Sequence, residues 1–452
     1  MKKKIGIVSL GCPKNLVDSE IMLGILKKKD FEITADESDA NIIIVNTCGF
    51  IETAIEESIN SILEMSKYKK LKCRLLIVTG CLAERYKEEM LKEIPEVDAV
   101  IGTGGYGHIA EVIDKLYKTE EAIPFDKRLF LEYEDGVEYL KGERVISTNK
   151  GYAYLKIAEG CDNCCTYCVI PSLRGAYTSR QMEDVIKEAM QLANQGVKEI
   201  ILVAQDVTRY GEDIYKEKKL VELIREVGKI KEIKWIRLLY CYPEEIDENL
   251  IAEMSSNPKV VKYLDIPIQH ASDKILSSMG RRGTLESLDS LLSKLKNRMP
   301  DIVIRTTLIV GFPGEDDKDF RILYGFVKKH QFDRLGVFSY SKEEGTPAYD
   351  MKPQIKRSVK ESRLNDIMQL QKEIVKEKNN SRLNRTYTVL VEGVAEDGIF
   401  YIGRSYAEAP DIDGLIYFTS EEPLEFGSFV EVKILNVDDY DLIGEVINES
   451  SK

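Results

Sequence analysis

The segment CDNCCTYC, residues 161–168, places four of the chain's nine cysteines within eight positions. It follows YAYLKIAE, residues 152–159, an apolar run that predicts a buried strand. In a fold built from βα units, the loop after a strand lies at the carboxyl end of the barrel, where active sites form. The spacing Cys161-x3-Cys165-x2-Cys168 puts three thiolates on one loop, and such thiolates can hold an iron–sulfur cluster. Three ligands leave one iron of a cubane open for a substrate.

Cys164 is the extra thiol of this loop, and its spacing from Cys161 would also suit zinc. A zinc site needs a second pair of ligands, and the histidines do not supply one near the loop. The chain has three histidines, all distant in sequence: His108, His270 and His330. Incidental burial explains four neighbouring cysteines poorly, so the sequence favours a cluster-binding loop.

The composition sets the broad class of the protein. Its 452 residues are too many for one core and predict two or three domains. The N-terminal run MKKKIGIVSLG is broken by glycine and too short for a signal peptide. No run reaches the roughly 18 apolar residues of a membrane span, so we expect a cytoplasmic protein without a membrane partner. In a large chain of this kind, cysteines serve metal binding or catalysis more often than disulfides.

Residues 1–110 alternate short apolar runs with amphipathic segments, which is typical of a parallel sheet in βαβ units. The predicted strands are 4–10, 41–47, 74–80 and 97–102. Cys12, Cys48 and Cys81 each follow one of the first three strands, in VSLGC, IVNTC and IVTGC. Because the carboxyl ends of parallel strands share one edge of a sheet, we expect these three thiols to converge.

A second series of strands and helices begins at residue 152. Its predicted strands are 152–159, 199–205, 235–242, 263–269, 303–311 and 334–341. Six βα units predict an incomplete barrel in place of the usual eight-unit one. Between the first two strands, Thr178 and Gln181 have the spacing of a capping box, and Gly196 has the place of a helix stop.

The chain as a whole is predicted to be an α/β protein of three domains. Their boundaries are 1–140 for the parallel-sheet βαβ domain, 141–375 for the partial (β/α)6 barrel and 376–452 for a small antiparallel β-barrel. Residues 119–150 are interpreted as a linker or small hairpin, and a charged helix is predicted over about 355–379. From Arg385 onward, short alternating strands with glycine turns predict the final barrel. Cys73 opens a predicted strand and Cys241 lies inside one, so both are interpreted as structural.

The CxxxCxxC spacing with Tyr167 before the last cysteine resembles the signature of the radical S-adenosylmethionine (SAM) enzymes. The resemblance implies that Cys161, Cys165 and Cys168 ligate a [4Fe–4S] cluster whose open iron binds SAM, with Cys164 outside the ligand set. It further implies that reductive cleavage of SAM gives a 5′-deoxyadenosyl radical. A cofactor of this kind is needed because side-chain acids and bases cannot break an unactivated C–H bond.

Three strand-end cysteines before this loop and a small barrel behind it resemble the methylthiotransferase family over nearly the whole chain. The family implies a second [4Fe–4S] cluster on Cys12, Cys48 and Cys81, a C-terminal TRAM barrel, and SAM as both radical source and methyl donor. One branch of the family adds a methylthio group to the β-carbon of an aspartate in small-subunit ribosomal protein S-twelve. The stretches that resemble this branch are SLGCPKNLVDSE (9–20), IAEGCDNCCTYCVIPSLRG (157–175), LVAQDVTRYG (202–211), DIPIQHASDKIL (265–276), RTTLIVGFPGE (305–315) and YSKEEGTPAY (340–349).

The same resemblance implies which residues contact SAM. The matching positions are Tyr167 beside the cluster, Gln205 and Asp206 near the methionine part, and Val310, Gly311 and Phe338 near the adenine. No side chain beyond the two cluster ligand sets is implied to be catalytic. An electron donor must also act as a partner, because the cluster has to be reduced before SAM is cleaved.

The charge distribution bears on the substrate. Residues 381–452 carry five Lys or Arg against fifteen Asp or Glu, a balance of −10 within the chain's net −13. A barrel that grips an RNA backbone should be basic, so RNA binding through this barrel is not expected. A basic ribosomal protein suits the acidic barrel better, since complementary charge steers encounter. A solvated acidic surface without a role is the alternative.

Two other functions stay open. A sister enzyme would methylthiolate an adenosine of transfer RNA, although Pro13 and Lys14 differ from the pair usual in those branches. A non-catalytic iron–sulfur protein would dock on the ribosome or carry electrons. Electron carriers normally supply four protein ligands to each cluster, whereas each cysteine group here has three.

Overall fold

The computed structural model describes residues 3–118, 123–133, 136–148 and 151–447. The chain forms two compact units, each assembled from several segments. The first unit comprises Met1–Ser147, Lys156–Asn163 and Cys168–Arg180, and the second comprises Thr148–Leu155, Cys164–Tyr167 and Gln181–Lys452. The cysteine loop therefore contributes Cys161 and Cys168 to the first unit, and Cys164 and Cys165 to the second. The domain boundaries at residues 140 and 375 stay a prediction.

The first unit is built on a sheet of parallel strands. These are β1 (Lys4–Ser9), β2 (Glu32–Ile33), β3 (Ile42–Thr47), β4 (Leu75–Gly80), β5 (Ala99–Ile101) and β6 (Leu129–Phe130). Their order across the sheet is β2-β1-β3-β4-β5-β6. The strands predicted in residues 1–110 are confirmed. The prediction missed β2 and β6, because two-residue strands leave no periodic signal; β6 lies in the segment interpreted as a linker.

Helices cover both faces of this sheet, so β3 and β4 are buried along their whole length. The helices are α1 (Pro13–Lys28), α2 (Glu52–Ser66), α3 (Cys81–Glu93) and α4 (Ile109–Tyr117). After β7 (Tyr152–Lys156), the chain returns to the first unit through β8 (Ala158–Glu159), α5 (Ile170–Arg174) and β9 (Thr178–Ser179). Residues 119–122, 134–135 and 149–150 of the predicted linker lie outside the described residues.

The second unit contains a sheet whose order is the reverse of the chain order, apart from its long first connection. Its further strands are β10 (Glu199–Val203), β11 (Trp235–Leu238), β12 (Val260–Asp265), β13 (Val303–Val310) and β14 (Arg334–Ser339). The order is β14-β13-β12-β11-β10-β7, and the pairs from β10 to β14 are parallel. The sheet is open, as the incomplete barrel of the sequence prediction requires.

Helices connect the strands of this sheet. They are α6 (Met182–Asn194), α7 (Glu212–Tyr215), α8 (Leu220–Gly228), α9 (Glu248–Ser256), α10 (Asp273–Ser278), α11 (Leu285–Arg298), α12 (Asp317–His330) and α13 (Pro347–Asp350). The capping box predicted for α6 is wrong: Gln181 is the N-cap and makes no side-chain cap bond. Thr178 instead lies in β9, where it pairs with Glu159. Gly196 follows the helix end with φ +100°, as the predicted stop requires.

Cys241 is not inside a strand, contrary to the sequence prediction. The strand β11 ends at Leu238, and Cys241 lies fully buried in the loop beyond it. Its N–H donates to the Asp265 carbonyl at the end of β12. The apolar run 235–242 extends past the strand because the loop itself is buried at the carboxyl edge of the sheet.

The long charged helix is confirmed as α14 (Arg357–Asn380) and leads into a closed barrel of antiparallel and parallel pairs. The barrel strands are β15 (Thr386–Val394), β16 (Tyr401–Arg404), β17 (Ile416–Thr419), β18 (Phe429–Asp438) and β19 (Asp441–Val446). Their order is β15-β16-β17-β19-β18, around a core of apolar side chains such as Val389, Phe418 and Ile434. Among the residues described, none of the helices is long and apolar enough to cross a bilayer.

The closed barrel packs on the amino-terminal half of the second-unit sheet. Trp235, the first residue of β11, meets Phe429 edge-on with ring centroids 4.7 Å apart. Arg334, the first residue of β14, pairs with Glu408, in the loop after β16, at 3.1 Å. The carboxyl ends of the same strands are thereby left to the loops that carry the predicted cofactor residues.

Candidate functional site

The structure brings together the strand-end cysteines Cys12, Cys48 and Cys81. They follow β1, β3 and β4, which are neighbours in the sheet. A Cβ added to Gly11 would lie 2.7 Å from the Cys48 Cβ, so the loop before Cys12 runs directly against Cys48. Gly11 also has φ +87°, a conformation that favours glycine. The three thiols therefore share one end of the first-unit sheet.

Side-chain hydrogen bonds tie these strand ends to one another. The Asn15 amide donates to the carbonyls of Leu10, at 2.8 Å, and Thr47, at 3.1 Å. The Thr47 hydroxyl in turn donates to the Thr79 carbonyl at 2.6 Å. Each of these carbonyls lies one or two residues before a cysteine. The relative positions of the three cysteines are thus fixed by buried polar hydrogen bonds as well as by the backbone hydrogen bonds of the sheet.

Burial and nearby charges shift the pKa values of the three thiols in different directions. Burial opposes ionisation of Cys12, but the charges of Lys14 and Arg174 and two backbone N–H groups lower its pKa overall. Burial raises the pKa of Cys48 to about 11, with the neighbouring Cys12 and Cys81 charges adding to it. Burial also raises the pKa of Cys81, against the opposing charge of Arg174. Three thiolates at one site would repel one another, and bound iron ions would relieve that repulsion.

The three strand-end thiols have the chemistry of cluster ligands. In a cubane each thiolate binds a different iron, so its three ligands stand farther apart than ligands of one ion. Three thiols at strand ends, with α1 starting at Pro13 and α3 at Cys81, fit such a cluster, because helix N-termini favour thiolates.

The segment after the third loop cysteine packs on the first-unit cysteines. Val169 and Leu173 form an apolar cluster with Cys81, and Phe50 packs against it. The Thr103 hydroxyl donates to the Leu173 carbonyl at 2.7 Å. The backbone N–H of Ile170 donates to the Cys168 Sγ at 3.4 Å, as that of Asn163 does to the Cys161 Sγ. Cys161 and Cys168 thus belong to the same compact unit as the strand-end cysteines.

Arg174, the last residue of α5, is a buried residue that the sequence analysis missed. Its Nε donates to the Cys81 Sγ at 3.3 Å. Its Nη1 donates to Asp18 at 2.7 Å and Glu159 at 3.1 Å, and its Nη2 donates to the Asn15 Oδ1 at 2.7 Å. No local pattern announces this role, because its partners lie up to 159 positions away in the chain.

The second unit holds Cys165, the third predicted ligand of the loop cluster. The Cys165 Sγ lies 3.6 Å from the Tyr242 hydroxyl and 4.0 Å from Arg281 Nη1. The Arg281 guanidinium stacks over the Tyr242 ring at 3.7 Å. Thr166 anchors the loop, because its N–H donates to the Met279 carbonyl at 3.0 Å. Cys164 is exposed.

The predicted SAM contacts all lie in the second unit, at or beyond the strand carboxyl ends. Tyr167 packs against a buried cluster that includes Phe312 and Tyr340. Gln205 and Asp206 follow β10, and the Asp206 carboxylate accepts the Thr208 N–H at 3.0 Å. The other three are Val310, buried at the end of β13, Gly311 next to it, and Phe338 on β14, which is 47% exposed.

Glu315 is a second residue whose role the sequence analysis missed. It ends the stretch RTTLIVGFPGE, residues 305–315, and its carboxylate closes the turn after β13. Glu315 Oε2 accepts the N–H groups of Gly311, at 2.7 Å, and Phe312, at 3.2 Å. Its other oxygen pairs with Arg363 of α14 at 2.9 Å. A buried carboxylate therefore sets the backbone at the position predicted to meet the adenine.

Comparison with known families divides the chain into three matched regions. Residues 4–102 match the Uncharacterized protein family UPF0004, residues 155–327 the Radical SAM superfamily, and residues 385–447 the TRAM domain. Among solved structures, the radical SAM methyltransferase TsrM from Kitasatospora setae has TM-score 0.57 and 14% identity, covering 77% of this chain and 74% of that one. The cobalamin-dependent radical enzyme OxsB has TM-score 0.52 and 13% identity, covering 83% and 56%. At such identities these likenesses show the fold alone.

Three curated relatives match along their full length. "Ribosomal protein uS12 methylthiotransferase RimO" of Acetivibrio thermocellus is 70% identical, covering 100% of both chains. The proteins of that name from Thermoanaerobacter sp. and Clostridium tetani are 51% and 50% identical, covering 98% and 100% of this chain and 100% of each relative. The fold and the cysteine loop define a radical SAM enzyme with a TRAM barrel. This chain belongs to the RimO family of ribosomal protein uS12 methylthiotransferases.

Proposed function

We propose that this chain transfers a methylthio group to the β-carbon of an aspartate in the small-subunit ribosomal protein uS12. The observation that carries the proposal is 70% identity over the full length to a relative named as a ribosomal protein uS12 methylthiotransferase. We further propose two [4Fe–4S] clusters, one on Cys161, Cys165 and Cys168 and one on Cys12, Cys48 and Cys81. The common end of β1, β3 and β4 supports the second, because the three thiols follow these strands and Cys81 accepts from the Arg174 guanidinium.

When bound, SAM and the two clusters supply the radical chemistry and the sulfur that an unactivated C–H bond requires. The chain's own residues bind and orient these groups. Gln205 and Asp206 are proposed to contact the methionine part of SAM. Val310, Gly311 and Phe338 are proposed to contact the adenine, with Tyr167 beside the cluster.

Several features of the described residues support that arrangement. The carboxylate of Glu315 holds the Gly311 backbone in one conformation, so the surface next to Val310 is formed before SAM arrives. The Tyr242 hydroxyl and Arg281 hold the Cys165 thiol from one side. Burial of Phe312, Met279 and Tyr340 around Tyr167 excludes water from that side of the loop.

The acidic barrel supports a basic protein partner. Exposed carboxylates such as Glu396, Glu421 and Glu431 lie on strands and turns of the barrel that face solvent. A basic ribosomal protein would be attracted to this surface, free or on the ribosome, and an RNA backbone would be repelled. A separate electron donor is part of the proposal, since the loop cluster acts only when reduced.

The proposal is tested with anaerobically reconstituted enzyme, purified uS12, SAM and a reductant. Mass spectrometry should show the mass gain of one methylthio group on uS12. Iron content should fall from about eight to about four per chain in Cys12→Ala and in Cys161→Ala, because each removes one cubane. Cys73→Ala is the matched control: Cys73 is buried in the first unit but precedes β4, so iron should stay at about eight.

Three results would contradict the proposal. A methylthio group appearing on transfer RNA and not on uS12 would assign the chain to a sister branch. Iron content of about four that falls only in Cys161→Ala would remove the second cluster. Protein that binds iron but fails to cleave SAM would indicate a non-catalytic iron–sulfur protein.

A further inference from the structure

Arg174 is joined to one of the strand-end cysteines by a direct N–H···S contact. The Nε–Sγ distance to Cys81 is 3.3 Å, and the arginine is only 8% exposed. A hydrogen bond from a charged donor is roughly twice as strong as a neutral one, and burial strengthens it further. Arg174 also lies six residues after Cys168, so one short segment links the two cysteine groups along the chain.

The guanidinium is held in place by carboxylates on its other side. Asp18 and Glu159 accept from Nη1, and the Asn15 amide oxygen accepts from Nη2. These bonds fix the plane of the guanidinium group. The Nε–H can therefore point only toward the Cys81 sulfur. A lysine has no planar fork and could not serve these partners together.

The buried charged side chains around Arg174 balance one another without any contribution from the cysteines. Lys156 is fully buried and pairs with both Asp18 and Glu159. Its Nζ also donates to the Tyr139 hydroxyl at 2.8 Å. The two cations, Lys156 and Arg174, offset the two carboxylates. Among the described residues, the hydrogen-bond acceptor of the Arg174 Nε–H is the Cys81 sulfur.

We propose that Arg174 is a positioning residue that raises the reduction potential of the cluster held by Cys12, Cys48 and Cys81. Hydrogen bonds to ligand sulfurs and nearby charge are known determinants of cluster potentials. A positive charge that bonds a ligand sulfur stabilises the reduced cluster, which carries one more electron. The inference rests on the proposed function, because it requires the second cluster.

The potential is measured where only this cluster is present. The background is the full chain with Cys161→Ala, Cys165→Ala and Cys168→Ala, reconstituted anaerobically. Dithionite supplies one electron per cluster with no bond made or broken, and EPR follows the reduced form against redox mediators. Arg174→Gln should lower the potential enough to change the reduced-to-oxidised ratio about tenfold at fixed potential, which is about 59 mV.

Arg180 offers a matched control in the same unit. It is a buried arginine whose Nη groups donate to the carbonyls of Lys156, at 2.7 Å, and Leu140, at 3.1 Å. Arg180→Gln therefore removes a buried guanidinium that bonds carbonyl oxygens, and it should leave the potential unchanged. Iron content and circular dichroism of each variant confirm that the cluster and the fold are retained.

Arg174→Lys keeps the inference testable if the glutamine variant does not fold. Lysine retains the positive charge but not the planar guanidinium. The reduction potential of the cluster in this variant should therefore lie below that of the background protein and above that of Arg174→Gln. A potential equal to the background in both Arg174 variants would overturn the inference, as would an equal shift in Arg180→Gln. If the background protein binds no cluster at all, the second cluster of the proposed function is wrong and this inference is overturned with it.

Discussion

Glu199 Oε2 and Arg404 Nη2 lie 2.8 Å apart, and both side chains are fully buried. Glu199 opens β10 of the open sheet, and Arg404 closes β16 of the barrel. The other Glu199 oxygen pairs with Arg237 at 2.6 Å, and Arg237 donates onward to the Tyr406 carbonyl. One carboxylate therefore serves two arginines where the barrel meets the sheet.

Glu199→Gln should destabilise the second unit by about 3–5 kcal/mol, because it leaves two buried guanidinium groups without their shared anion. Urea unfolding of the second-unit transition measures the loss. Glu361→Gln is the control: its pair with Arg357 is exposed, so it should change stability by less than about 1 kcal/mol. Equal effects of the two variants would contradict a role for the buried pair.

Acid should weaken the same interface through Glu408. Burial opposes its ionisation, but Arg382 and Arg334 lower its pKa to about 2 from an ordinary 4.5. Because the folded pKa is the lower one, this stabilisation is present above pH 4.5 and is lost as pH falls toward 2. Its size is on the order of 3 kcal/mol.

Glu408→Gln cannot titrate at that position, so the comparison isolates this group. The variant should be much less stable than the parent at pH 7, and the gap should narrow as pH approaches 2. Thermal unfolding at several pH values measures the gap. A gap that stays constant across the range would show that Glu408 does not carry the effect.

Gly11→Ala should disrupt the strand-end cysteine group. Its Cβ would lie 2.7 Å from the Cys48 Cβ, so the two loops must move apart. On the proposed two-cluster arrangement, iron should fall from about eight to about four, with the loop cluster retained. Gly196→Ala is matched in backbone strain, at φ +100°, but its added Cβ meets nothing within 4 Å. It should lose about 1–2 kcal/mol of stability and keep its iron.

Glu315→Gln should weaken SAM binding about tenfold if Gly311 contacts the adenine, which corresponds to about 1.4 kcal/mol. The amide cannot accept two N–H groups and pair with Arg363 as the carboxylate does. Anaerobic equilibrium dialysis with SAM measures the affinity. Asp317→Asn removes the exposed second partner of Arg363 and should leave affinity within about twofold.

Local patterns in the sequence predicted the parts of the fold that depend on short-range signals. The strand-end position of Cys12, Cys48 and Cys81 followed from apolar runs and one topological rule. The capping box at Thr178 was wrong because tertiary pairing with Glu159 took that residue into a strand. Arg174 was missed because its bonds join distant segments of the chain. Glu315 was missed because its pair with Arg363 spans 48 positions and because a single glutamate does not signal that it will accept the two nearby N–H groups.

The barrel sits against the beginnings of the strands, whereas the proposed SAM residues sit at their ends. A six-residue strand such as β12 spans about 20 Å at roughly 3.3 Å per residue. On the proposed function, a partner bound to the barrel would have to extend past the depth of the sheet to bring its side chain to the SAM residues. Partner choice and bond-making chemistry would then be physically separated, so exchanging the barrel between such proteins would redirect them without rebuilding the reaction centre.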